Sequence, residues 1–333
     1  MFSLLVVCLS LSALLTINAL ASLGAEALWR AIKPIARRWS AGMRAQVIFA
    51  LRVFPLAGAL VSVALLIVPS YLTYEPWPPD EVVTVKLAAV TLISAIGIGL
   101  AVWRGVASWR ATRRLVADWM QQAKAVRLEA APIPAYRIQH PFPVIAVVGA
   151  LRPRLFIAGQ IFDSLNQDEI AAAIRHEAGH LATRDNLKRV LMRACRDALT
   201  IVPCGRSLDR DWSEVAEAAA DEHAARAGAP IALDLAAALV KIARMIPQGA
   251  KPTMPAGAFL IDVEADGVVW RVRRLTQLAE IGKVSEERGA AVTRLAMWAS
   301  PCVFFAGVVY TAANPAMLAR LHAGLERIFW FLS

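Results

Sequence analysis

The chain has 333 residues, 58% of them hydrophobic, and a formal net charge of +10. So apolar a composition argues against an ordinary soluble domain and calls for membrane spans, with room left for one further folded unit of roughly 100–200 residues. The four cysteines, Cys8, Cys195, Cys204 and Cys302, show no Cys-x-x-Cys spacing, which argues against a disulfide framework or a cysteine-based metal site.

Four stretches are long enough to cross a bilayer, which takes about 20 helical residues. They cover residues 2–24, 53–73, 82–103 and 295–319. No Lys or Arg precedes the first, so it reads as a retained span and not as a cleaved signal segment, despite Ala19-Leu20-Ala21. Between the first and second spans lie Arg30, Lys33, Arg37, Arg38, Arg44 and Arg52, with Glu26 the only acid. Between the second and third lies the acidic, Pro-rich run Tyr74-Glu75-Pro76-Trp77-Pro78-Pro79-Asp80-Glu81, and Arg104, Arg110, Arg113 and Arg114 follow the third. This asymmetry predicts the N-terminus outside, the basic loop inside, and residues 104–294 in the cytoplasm. The positive charge then faces the anionic lipid bilayer, and direct nucleic-acid binding is not expected.

Within the cytoplasmic segment, a helix is predicted to continue from Trp103 to Leu128. Pro132, Pro134, Pro141 and Pro143 then frame extended chain. Val144 to Val148 and Leu155 to Ala158 read as β-rich runs joined by a turn containing Gly149. A helix is predicted from Gln167 to Thr183, with Asp168 and Glu169 near its positive end. A second runs from Asn186 to Ile201, amphipathic and suited equally to a membrane surface or a domain core, and stops at Pro203 and Gly205. A third runs from Trp212 to Ala227 and ends at Gly228. Pro247 to Gly257 is loop-like, and Val268 to Glu287 is helical and leads towards the last span. There is no internal repeat.

The decisive pattern is His176-Glu177-Ala178-Gly179-His180. Residues four apart on a helix share a face, so both imidazoles can reach one ion. Glu177 lies to one side, within reach of a metal-bound water. Zinc brings the pKa of such a water to roughly 7, and the glutamate takes its proton as the water attacks a peptide carbonyl. A catalytic zinc needs a third protein ligand and one open position. The helix carrying Glu214, Glu217 and Asp221 supplies carboxylates. Glu217 and Asp221 are one turn apart, so one can bind the ion while the other orients a ligand. Glu217 is the expected ligand and Glu214 the alternative, whereas His140 and His223 have no partner spacing.

With these residues in place, the sequence resembles the BlaR/MecR-type membrane zinc metallopeptidases. The resemblance rests on His176 to His180, on Asp185 in Arg184-Asp185-Asn186, and on Glu217 with Asp221. It extends to Gly149-Ala150-Leu151-Arg152-Pro153-Arg154-Leu155-Phe156-Ile157, to Asp168-Glu169-Ile170, and more weakly to Val269 through Leu275. It implies that Glu217 is the third ligand, Asp221 orients a ligand, and Asp185 is a structural residue closing the histidine-bearing helix. HtpX-type and CAAX-processing peptidases share the motif, but three spans before that helix and one after favour the BlaR/MecR-like layout. The implied role is regulatory, at the bacterial inner membrane. It would be cleavage of a cytoplasmic repressor, an anti-sigma-type protein or the protease itself, with HtpX-like quality control or a non-catalytic signalling module as alternatives. The stretch from Asn314 to Ser333 holds no Ser-x-x-Lys, so β-lactam acylation is not carried over.

The expected architecture is therefore a mainly α membrane protein with four transmembrane helices and a cytosolic α+β zincin-like (gluzincin) domain between the third and fourth. Residues 1–103 form three spans with a basic loop, 104–294 the peptidase domain with one catalytic zinc, and 295–333 the last span and a short extracytoplasmic tail. Arg271, Arg273 and Arg274 are expected on a solvated or headgroup-facing side, with oxyanion stabilisation the alternative. His223 is expected at the surface, and the strands near Val144 to Ile157 either offer an edge to an extended substrate or pack as core.

Overall fold

The computed structural model describes residues 2–75, 83–199, 204–246, 265–281 and 290–332. The acidic loop around Trp77, the helix end expected at Ile201, the Pro247–Gly257 loop and the helix end expected at Glu287 lie outside the described residues.

The first three predicted spans are parts of longer helices. Helix α1 covers Phe2–Ala36. Helix α2, Ala41–Ser62, runs through a π segment, Val63–Ile67, into α3, Val68–Tyr74. Pro69 has no N–H to offer the preceding turn, and the helix widens immediately before it, with Val68 N–H donating to the Val63 carbonyl. Helix α4 covers Val85–Gln122. These three runs are each long and apolar enough to cross a membrane. Ser12 and Thr91 hydroxyls meet at 3.1 Å between α1 and α4, and Thr91 Oγ1 also donates to the Cys8 carbonyl at 3.1 Å.

The fourth predicted span differs. Helix α11, Ala290–Ala313, stops at Asn314, and α12, Pro315–Leu332, leaves at 96°. Asn314 Oδ1 accepts from Ala316 N (3.1 Å) and Met317 N (3.3 Å), and Pro315 fits the first helical position. The bent pair counts as a fourth span only if it is taken as one unit. Helix α11 meets α2 through an edge-to-face Phe54–Phe304 contact at 5.2 Å.

Beyond α4 the chain forms a four-stranded sheet in the order β1-β2-β4-β3, from Lys124–Val126, Ala135–Ile138, Ile145–Val148 and Arg154–Ala158. Strand β1 replaces the end of the helix expected to reach Leu128. Its antiparallel pairing with β2 outweighs the helix preference of Lys124 and Ala125. Strands β2 and β4 run parallel, and β3 and β4 form the expected antiparallel hairpin, which leaves β3 at the edge. Helices α5 (Gly159–Ser164), α6 (Gln167–Thr183), α7 (Asp185–Asp197), α8 (Arg206–Ala225), α9 (Ala229–Met245) and α10 (Ala265–Ile281) follow. The main core lies between the sheet and α6, α9 and α10, with Phe156, Ile157, Ile174, Leu235, Leu239 and Leu275 buried in it.

A second core ties this unit to the membrane helices. Trp29 of α1 and Ile48 of α2 are buried with Met192 of α7 and with Leu208 and Trp212 of α8. Polar contacts reinforce it. Trp29 Nε1 donates to Asp211 (2.7 Å), and Glu26 accepts from Gly205 N (2.9 Å) and Ser207 Oγ (2.7 Å). Arg52 Nε pairs with Asp209 at 3.0 Å with only 1% of its side chain exposed. Gly205 (φ 82°) permits this approach, because a Cβ there would lie 2.6 Å from the guanidinium. Helix α7 packs against α2 and α4 and buries Met192 and Cys195, while Val190 and Leu191 on the same helix are exposed.

Removing one partner of a buried ion pair leaves the other uncompensated, at about 3–5 kcal/mol. Asp209→Leu is therefore expected to lower the thermal unfolding temperature in detergent substantially, and the double variant Arg52→Met/Asp209→Leu to recover most of the loss.

Candidate metal centre

Helix α6 starts at a capping box. Asn166 Oδ1 accepts from Glu169 N (2.8 Å) while Glu169 Oε2 accepts from Asn166 N (2.9 Å). Its range is the one read from the sequence. The helix ends at Arg184, whose left-handed backbone (φ 54°) turns the chain directly into α7. His176 and His180 lie one turn apart on the side facing α8. Between them Gly179 allows close helix contact, since a Cβ there would stand 3.0 Å from Ala220 Cα and 3.1 Å from His223 Cβ.

That approach brings Glu217 of α8 to the histidines. Its Oε2 lies 3.5 Å from His176 Nε2 and its Oε1 3.5 Å from His180 Nε2. One donor atom from each of His176, His180 and Glu217 falls within 4.8 Å of the others. A tetrahedral ion with bonds of 2.0–2.1 Å would hold its donors about 3.4 Å apart. His176 Nε2 and Glu217 Oε2 are buried yet make no hydrogen bond among the described residues. Two imidazoles, one carboxylate and inward-facing donors without hydrogen bonds suit zinc. Glu214 is exposed and stands apart from this group.

The outer nitrogens are also held. His176 Nδ1 meets Asp221 Oδ1 at 2.9 Å, and His180 Nδ1 meets Asp185 Oδ2 at 2.8 Å. Each carboxylate fixes a ring so that Nε2 points inward. Asp185 reaches His180 because α7 begins at the sharp turn of Arg184. Glu177 is 5% exposed, and its Oε2 accepts from the Val147 N–H of β3 at 3.1 Å. Asn186 Nδ2 donates to the Val147 carbonyl at 2.9 Å. Glu177 thus ties the edge strand to α6, and Asn186 ties it to α7.

Arg271 is the main departure from the sequence reading. Instead of facing solvent or headgroups it is 5% exposed and grips Asp221 with two hydrogen bonds, Nε to Oδ2 at 2.9 Å and Nη2 to Oδ1 at 2.7 Å. Its Nη1 also lies 3.4 Å from Glu217 Oε2. The carboxylates of α8 draw it inward. One sequence signal could have found it, because Val268, Val272 and Leu275 make Arg271 part of the apolar face of its helix. Arg189 of α7, 3.3 Å from Glu217 Oε1, had no comparable signal. Arg273 and His223 are exposed, and Arg274 pairs with Glu222.

The electrostatics follow from burial and close charges. Burial alone would raise Glu217, but the charge of His180, the closeness of both imidazoles and Arg271 hold it well below the usual carboxylate range. For Asp221, burial is likewise outweighed, by Arg271 and His176, and its pKa is about 2. Burial works downward on His180, yet Glu217 and Asp185 carry it to about 10. For Glu177 burial wins over the nearby histidines and the pKa is raised, as a general base near neutral pH requires.

The sequence pattern of peptidase family M48 matches residues 112–321, well over half of the chain. The chain belongs to peptidase family M48. M48 peptidases are generally zinc-dependent metallopeptidases, which agrees with the donor set above, and the apolar helices make this M48 member a membrane protein. The match covers the end of α4, the whole peptidase segment, α11 and part of α12. No curated protein and no solved structure matches the chain significantly.

Gly179→Ala would favour α6 by about 1 kcal/mol in helix propensity, but its methyl would press on Ala220. Displacing α8 by a few tenths of an ångström should weaken zinc retention about tenfold in a chelator competition, while circular dichroism shows the helical content unchanged.

Proposed function

We propose that this protein is a zinc endopeptidase of the membrane surface, with one catalytic ion held by His176, His180 and Glu217. The observation that carries the proposal is the inward triangle of Nε2, Nε2 and carboxylate oxygen with Glu177 beside it. Zinc bound there would supply Lewis acidity to polarise a peptide carbonyl and acidify a water molecule. Glu177 is the general base, taking the proton of the attacking water and passing it to the leaving amine. Asp221 and Asp185 orient the two histidines, and Arg271 keeps Asp221 ionised and in place. Strand β3 lies at the sheet edge next to Glu177 and would hold an extended substrate segment by backbone pairing once Val147 N–H and carbonyl are released from Glu177 and Asn186.

The charge asymmetry of the loops supports an N-terminus outside and residues 104–294 in the cytoplasm. The substrate is then a cytoplasmic protein or the cytoplasmic part of a membrane protein. The BlaR/MecR-like span layout favours a regulatory protease that cuts a transcriptional repressor or itself. The alternative is HtpX-like quality control of many membrane proteins.

Glu177→Gln should retain zinc by metal analysis and lose about 10²–10⁴-fold in hydrolysis. Unchanged turnover would remove Glu177 from the mechanism. The same variant, cross-linked in cells, should trap one predominant substrate if the role is regulatory and a broad set of membrane proteins if it is quality control. An unchanged cellular phenotype with Glu177→Ala would favour a non-catalytic module.

A further inference from the structure

A second group of possible ligands lies at the other end of the helix bundle. Glu75 follows α3, while His322 and Glu326 are one turn apart on α12. Leu5, Leu9, Ile67 and Tyr71 form the core at this end, with Leu325 of α12 packed on it. The core joining α1 and α2 to the peptidase segment includes Ile48. From Ile48 to Tyr71 a helix rises about 34 Å, close to the thickness of a bilayer core. The two groups of ligands are thus separated by the full length of the membrane helices.

The local geometry resembles that of the catalytic triangle. His322 Nε2 lies 3.2 Å from Glu326 Oε1 and 3.6 Å from Glu75 Oε2. The three donor atoms fall within 4.8 Å of one another. These separations straddle the roughly 3.4 Å between donors that share a tetrahedral zinc. His322 is only 5% exposed, and neither of its ring nitrogens makes a hydrogen bond among the described residues. Tyr71 packs edge-on against the imidazole with centroids 4.9 Å apart, so the ring is held with Nε2 towards the two carboxylates. A plain ion pair would align one N–H with one carboxylate, whereas here a single nitrogen is bracketed by two.

We infer that Glu75, His322 and Glu326 form a second divalent-cation site, distinct from the catalytic centre. Two carboxylates balance the charge of the ion. The imidazole selects borderline metals such as Zn²⁺, Co²⁺, Ni²⁺ or Cu²⁺ over Mg²⁺ and Ca²⁺, which require more oxygen ligands. The ion would fasten α12 to the end of α3. On the proposed topology, on which this last point rests, the site faces the extracytoplasmic side.

The test is metal analysis of the full-length protein in nanodiscs, equilibrated with zinc against a calibrated chelator. Wild type should hold two equivalents, the His176→Ala/His180→Ala variant one, and that variant with His322→Gln none. Glu326→Gln should weaken the second equivalent at least tenfold and leave the first unchanged, with an unaltered melting temperature in the absence of metal. A single wild-type equivalent that survives His322→Gln but not His176→Ala/His180→Ala would overturn the second site and leave the catalytic reading intact. A single equivalent lost only with His322→Gln would overturn the catalytic reading instead. Two equivalents unaffected by His322→Gln would also overturn the proposed site.

Discussion

The close contact between α6 and α8 is the constraint on which the rest of the centre depends. It exists because Gly179 has no side chain where Ala220 Cα approaches to a virtual Cβ distance of 3.0 Å. With the helices this near, a glutamate of ordinary reach spans from α8 to both imidazoles of α6. Were they farther apart, Glu217 would face water and the histidines would lack a third donor. The buried alanines of α8, Ala216, Ala218, Ala220 and Ala224, keep the same helix close to its neighbours along much of its length. The motif glycine thus sets an interhelical distance and not a backbone conformation.

Such proximity concentrates charge. Glu177, Glu217, Asp185 and Asp221 surround two imidazoles, and burying isolated carboxylates costs several kcal/mol each. Arg271 and Arg189 offset part of it, and Lys188 Nζ lies 3.7 Å from Asp185. Close cations outweigh burial at Glu217 and Asp221 and pull both down, whereas at Glu177 burial outweighs the nearby histidines and the pKa stays raised. A divalent ion at the centre would supply the remaining countercharge.

Much of α6 was legible because its signals are local. Asp168 and Glu169 near its start and the four-residue spacing of the histidines all lie within one helix, and the predicted range matches. Elements that depend on distant partners were less legible. Strand β1 sits in sequence with good helix formers and is extended only because β2 pairs with it. Helix α9 went unread, although Pro230 in its first turn and Ala232, Leu235, Leu239 and Ile242 at helical spacing mark it. The bend at Asn314-Pro315 was hidden by continuous hydropathy that a capping asparagine interrupts. In the centre, the spacing on one helix pointed to the histidines, and the carboxylates one turn apart on another pointed to Glu217 and Asp221. Arg271 was expected at the surface, because an arginine reads as solvated until the buried acid it serves is known, even though it shares a helix face with Val268, Val272 and Leu275.

The bonds from Glu26, Trp29 and Arg52 to α8 and its entrance bear on how such a sequence can change over time. A peptidase segment moved onto unrelated spans would leave Asp209 and Asp211 without their partners and the indole of Trp212 without its cover. The first two membrane helices and the helix bearing Glu217 therefore form one packed unit. Substitutions in either should be accompanied by compensating ones in the other, so that the apparent lipid anchor varies in step with the helix bearing Glu217.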